Sequence, residues 1–92
     1  MVPSNSEPEW VYVIIQEPGS NEALLGQYDK ENEISFIPAF KTKEDAQNCL
    51  PIIHRDLKLK YEIQAIPYDV AKAEAEKNGF TVYLLDHSGV PV

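Results

Sequence analysis

The chain has one cysteine, Cys49, so no intrachain disulfide can close and a zinc site built from the cysteines of one chain is excluded. It is also short of positive charge: eight Lys and Arg stand against fifteen Asp and Glu, leaving a net charge of -7 at pH 7. Phosphate contacts need clustered Lys and Arg, so neither nucleic acid nor an anionic membrane surface is an expected partner. No apolar run approaches the ~20 residues of a membrane helix. The opening stretch, Met1 to Glu9, is polar and acidic and lacks the basic and apolar parts of a signal peptide. With the single thiol, these features lead us to expect a soluble cytoplasmic protein. There is no Gly-rich phosphate loop, no His-x-x-x-His pair and no acidic metal loop, so no cofactor and no metal ligand is expected. Internal repeats and low-complexity runs are absent too.

What is present suits one small domain. Ninety-two residues, 43% of them hydrophobic, can bury a single core and no second one. We expect a flexible segment over residues 1–9 and one folded unit over 10–92. The acidity is uneven: residues 1–40 hold seven acids and one base (1 - 7 = -6), residues 41–92 eight acids and seven bases (7 - 8 = -1).

Trp10 to Gln16, rich in aromatic and β-branched residues, is apolar on both parities and reads as a strand covered on both faces. Glu17-Pro18-Gly19-Ser20-Asn21 follows as a turn, with Pro and Gly where a type I or II turn places them. A second strand is expected over Ala23 to Tyr28, and Asp29 to Asn32 forms a polar return to a third, Ile34 to Ala39. The three would make an antiparallel meander.

The segment from Ile34 to Leu57 joins that third strand to a helix. Ala46, Leu50, Ile53 and Leu57 recur at i, i+4, i+7 and i+11, the stripe of a helix lying on a core. Thr42 is placed to cap it by accepting from the amide of Asp45, and Glu44 and Asp45 complement the helix dipole. Pro51 lacks the amide that would bond the carbonyl of Gln47, so a kink or break is expected there. Lys60 to Ile66 alternates cleanly and reads as a strand with one wet face or at an edge. Pro67 suits the first position of a second helix running through Val70 to Lys77, and Asn78-Gly79 supplies its left-handed stop. Phe80 to Leu85 is the last strand, and Asp86-His87-Ser88-Gly89 a turn. The order β-β-β-α-β-α-β implies an α+β fold: a mixed sheet of about five strands with two helices.

The stretch Phe36-Ile37-Pro38-Ala39-Phe40-Lys41-Thr42-Lys43-Glu44-Asp45-Ala46 resembles the strand-to-helix signature of the SseB-type (enhanced serine sensitivity) N-terminal domain. Ile66 to Val70 and Asn78 to Asp86 are similar to that family's second helix and closing strand. A second resemblance, from Val11 to Val82, is to a small cyanobacterial and plastid family of unknown function. Both likenesses imply a fold and carry no activity.

Chemistry finds little purchase. His54 and Cys49 are five residues apart, about 140° around a helix, and so cannot act as paired ligands or as nucleophile and base. Asp86-His87-Ser88 has the residue types of a hydrolase triad, but three neighbours cannot point at one another, and Asp, Ser and Gly are turn formers. Glu74 and Glu76 lie on different sides of their helix. No catalytic residue is expected, and a non-catalytic interaction module is favoured over an enzyme. Its partner would be another protein or a second copy in a homodimer, through an exposed sheet face bearing Trp10, Val11, Tyr12, Val13, Tyr83 and Leu85. That expectation supposes both helices on one face of the sheet; helices on opposite faces would instead bury everything within one chain. A small molecule or a minor enzymatic site at a dimer cleft is the alternative.

Overall fold

The computed structural model describes residues 8–92. Residues 1–7, most of the expected flexible segment, lie outside those described. In chain order come β1 (Trp10–Gln16), β2 (Ala23–Leu24), β3 (Gln27–Asp29), β4 (Ile34–Phe40), α1 (Lys43–Cys49) with a closing 3-10 turn (Leu50–Ile52), β5 (Tyr61–Pro67), α2 (Tyr68–Lys77) and β6 (Thr81–Leu84). All strands join one mixed sheet, so the class is α+β as the sequence implies.

Register fixes the strand order. β5 takes one edge of β1 along its whole length, from Trp10 opposite Pro67 to Gln16 opposite Tyr61. β2 and β4 therefore share the other edge, β2 at Ile15 and Gln16, β4 at Tyr12 and Val13. On β4, Phe36 pairs with both Gln27 of β3 and Thr81 of β6, and Ala39 with both Val13 and Leu84. So β6 occupies the far edge of β4, and β3 lies on the side facing β1. The backbone order is β5-β1-β4-β6, with β1 and β4 forking apart to admit β2 and β3.

Pro38 explains the fork. Continuing the register of Tyr12 with Phe40 and Val13 with Ala39 brings Ile14 opposite Pro38, which has no amide to give. The Ile14 carbonyl accepts instead from Leu25 N at 2.9 Å. At that point the expected second strand, Ala23 to Tyr28, breaks into two: β2 runs antiparallel to β1, reverses at Leu25 and Gly26, and β3 returns antiparallel to β4. The meander is thus a wedge in a fork.

Local chemistry otherwise follows the residues. Pro18 and Gly19 form a type II-like turn, with Gly19 at φ 80° and Ser20 N donating to Glu17 O at 3.1 Å. Asp45 N donates to Thr42 Oγ1 at 3.1 Å, which caps α1. The helix stops at Cys49, earlier than the apolar stripe implied; a 3-10 turn around Pro51 closes it, and Leu57 is 79% exposed in the connection beyond. Pro67 sits one residue outside α2 as its extended N-cap, while Gly79 at φ 80° ends the helix. There Gly79 N donates to Glu76 O and Phe80 N to Ala75 O at 3.1 and 2.8 Å, a Schellman pair.

The core has two layers. Ile14 packs with Phe40, Leu25, Leu85 and the α1 residues Ala46 and Cys49; Val11, Val13 and Ile15 pack with Ala39 and with Ala71 of α2. Successive strand residues point to opposite faces, so α1 and α2 cover opposite faces of the sheet. Topology demands this. β4 to β5 and β5 to β6 cross the sheet in opposite directions, and connections of one hand then lie on opposite sides. β1 is accordingly buried on both faces, as its composition implied.

Candidate functional site

α1 has seven residues, so it spans only ~10 Å and packs on β1, β4 and β5. The β4–β6 end of the same face is left uncovered, and a groove of 740 Å³ opens there. Phe36 and Tyr83, brought together by the parallel pairing of β4 with β6, stack at 4.6 Å between ring centroids with 23° between planes. They form the floor with Leu85. Gln27 to Glu31 make one wall, and His54, Gly89 and Pro91 line the remainder. Apolar lining with a few polar groups at the rim is the usual make-up of a ligand site.

Both walls are held by hydrogen bonds. Gln27 clasps the backbone of His54, its Nε2 donating to His54 O at 2.6 Å while His54 N donates to Gln27 Oε1 at 3.2 Å. This pins the connection after α1 onto β3. Asp29 closes the β3–β4 turn: its Oδ1 accepts from Glu31 N at 3.0 Å, and its Oδ2 from Asn32 Nδ2 at 2.9 Å. These donors, the Asn32 side chain foremost, hold the Asp29 carboxyl below the ordinary aspartate range. On the other side Asp86 Oδ1 accepts from Ser88 N and Ser88 Oγ at 2.9 Å and from Val90 N at 3.0 Å. The amides of Val90 and Ser88 depress its pKa first, so the carboxylate is favoured. Asp86 to Gly89 is therefore a turn that braces the groove wall, and Ser88 spends its hydroxyl on Asp86.

The groove offers binding and no acid-base chain. The His54 imidazole makes no hydrogen bond among the described residues. Cys49 is buried under the 86–89 turn, and burial, then the charge of Asp86, pushes its thiol pKa up, the reverse of an activated nucleophile. Among the described residues no three of His, Cys, Asp and Glu gather as a metal would require, and no helix is long and apolar enough to cross a membrane.

The six residues assigned to an exposed sheet face do not share one surface. Val11 and Val13 are fully buried against α2, because the helices lie on opposite faces, and neither can meet a partner. Leu85 is buried at the edge of the groove floor, and Tyr12 is half-buried on the α1 face. Trp10 is 56% exposed, but at the start of β1, opposite Pro67. Tyr83 is half-buried, and with Leu85 it lies in the groove. Phe36, Gln27, Tyr28 and His54 were not anticipated as a group; only the β4–β6 register and the Gln27 clasp join them, and neither leaves a mark in the sequence.

A second, smaller cleft of 340 Å³ lies on the α2 face between Leu24, Ile37, Ala75 and Phe80. In comparisons with models of protein families, with curated proteins and with solved structures, nothing matches this chain.

Proposed function

We propose that this protein is a non-catalytic binding module of the cytoplasm whose site is the Phe36–Tyr83 groove, and that its occupant is a segment of a basic partner protein. One observation carries the reading: an aromatic floor that the short α1 leaves open, rimmed by polar groups. The occupant is chosen by charge. Asp29 and Glu31 outnumber Lys30 on the wall, and the chain as a whole carries -7, so a segment presenting one large apolar side chain between Lys or Arg residues complements it. We further propose kinship with the SseB-type domain, resting on the Phe36–Ala46 stretch.

Titration of labelled protein with short peptides tests the reading. A basic peptide with a central Phe or Leu should shift the resonances of Gln27 to Glu31, Phe36 and Tyr83, and its affinity should fall with added salt. Glu31→Lys should weaken binding of the basic peptide at least tenfold with little change in stability, because Glu31 lines the groove and its side chain is exposed. Shifts confined to other surfaces, or equal affinity for the acidic counterpart, would remove the proposal. The second reading, a small metabolite, draws on the groove's volume, which lies within the ~300–1,000 Å³ of small-molecule sites. A compound retained in native mass spectrometry would favour it.

A further inference from the structure

The two outer edges of the sheet are treated differently. On β6 the chain returns and covers its own edge: Asp86 N donates to Val90 O at 2.8 Å, Leu85 bridges Pro91, and Val92 N donates to Leu84 O at 2.9 Å. On β5 nothing returns. Glu17 N donates to Lys60 O and Tyr68 N to Glu9 O, which sets the parity of the β1–β5 ladder: Lys60, Glu62, Gln64 and Ile66 turn their backbone groups toward β1. Tyr61, Ile63 and Ala65 turn theirs outward, where no described residue meets them. The register runs without a bulge from Tyr61 to Pro67, no proline occurs before the last position, and Glu62 is the one charge within the strand. Those are the devices by which edge strands ordinarily refuse partners, and β5 has almost none of them.

We infer that β5 is a homodimerisation edge, pairing antiparallel with β5 of a second copy about a two-fold axis at Ile63. In this register Ile63 faces its symmetry mate and Tyr61 faces the partner's Ala65, so about six backbone hydrogen bonds form between groups that now face outward. The side chains agree with it. Gln64 comes opposite the partner's Glu62, to which it can donate as it now donates to its own Glu62 at 3.0 Å, and no carboxylate stands directly opposite another. Pro67, with no amide, falls outside the paired centre. The capped β6 edge stops growth at two copies, so the assembly is closed and isologous. This inference is independent of the groove, which lies at the opposite end of the sheet.

Sedimentation from micromolar to millimolar concentration, together with amide exchange, decides it. A monomer–dimer equilibrium is expected, and the amides of Tyr61, Ile63 and Ala65 should gain protection with concentration while those of Glu62, Gln64 and Ile66 stay constant. Ala65→Pro removes one outward amide at an exposed edge position where the β1 ladder is untouched, and should abolish the dimer with the fold retained. Gln64→Lys should tighten the dimer severalfold and Gln64→Glu should loosen it by as much, since each sets its charge against the partner's Glu62. A strict monomer at all concentrations overturns the inference. So does a dimer that survives Ala65→Pro, responds alike to both Gln64 variants, or shows no alternation in exchange.

Discussion

Thr42 holds the start of α1 with a single hydroxyl, and a helix of seven residues has few other hydrogen bonds to lean on. Thr42→Ala is expected to cost about 1 kcal/mol, read as a lower urea midpoint at unchanged slope. Seven residues further on, Cys49 presents the opposite case, a reactive group kept out of use. Buried and with its thiol pKa raised, it should resist alkylation at neutral pH in the native protein and react fully in denaturant. Rapid labelling of the folded chain would mean that the 86–89 turn opens readily. Both residues were legible in the sequence to different degrees: the cap follows from Thr42 and Asp45 being three apart, but the cover over Cys49 comes from a turn near the far end of the chain.

At the scale of elements, the Asp86 turn couples stability to pH. Its folded pKa lies below the ordinary value, so its contribution is complete above the ordinary aspartate pKa of ~3.9 and is lost as pH falls through the depressed value. The stability gap between the natural chain and Asp86→Ala should therefore be full at neutral pH and close in acid. The β2–β3 wedge gives a steric test. A Cβ at Gly26 would overlap Phe80 Cε2, so Gly26→Ala is expected to cost about 1–3 kcal/mol, and pairing it with Phe80→Leu should recover part of that. Strict additivity in this cycle would place the two residues apart. The wedge was hidden in the sequence because Ala23 to Tyr28 has no proline and reads as one strand; its cause, the missing amide of Pro38, lies on another strand. Pro51 did announce the end of α1. The stripe holds through Ile53, whose amide still donates to Cys49 O at 3.1 Å and whose side chain packs on the core, and misled only at Leu57, where the spacing persists after those bonds have stopped.

For the whole molecule, class and element order were readable, and the disposition of the helices was not. Val11, Val13 and Ile15 on one side with Tyr12 and Ile14 on the other require two covers, yet one short helix plus a partner would satisfy that pattern as well as two helices. The crossover directions decide it, and they depend on β1 lying between β5 and β4, a long-range pairing. The groove is a by-product of the same arrangement, since α1 is too short to cover its entire face.

The position of β1 has a consequence for how the chain is made. It is made before the other strands of its sheet and is the one most enclosed by later elements, with β5 along one edge, β2 and β4 on the other, and a helix over each face. About fifty residues separate Gln16 from Pro67, the end of its longest partner. At bacterial or eukaryotic elongation rates that interval lasts roughly 3 to 10 s, during which the edge of Trp-Val-Tyr-Val-Ile-Ile that β5 will cover has no partner. Stalled chains ending near residue 60 should accordingly crosslink to chaperones through this segment, and chains extended past β6 should release them. Equal crosslinking at both lengths would show that β1 finds shelter before its partner strand is synthesised.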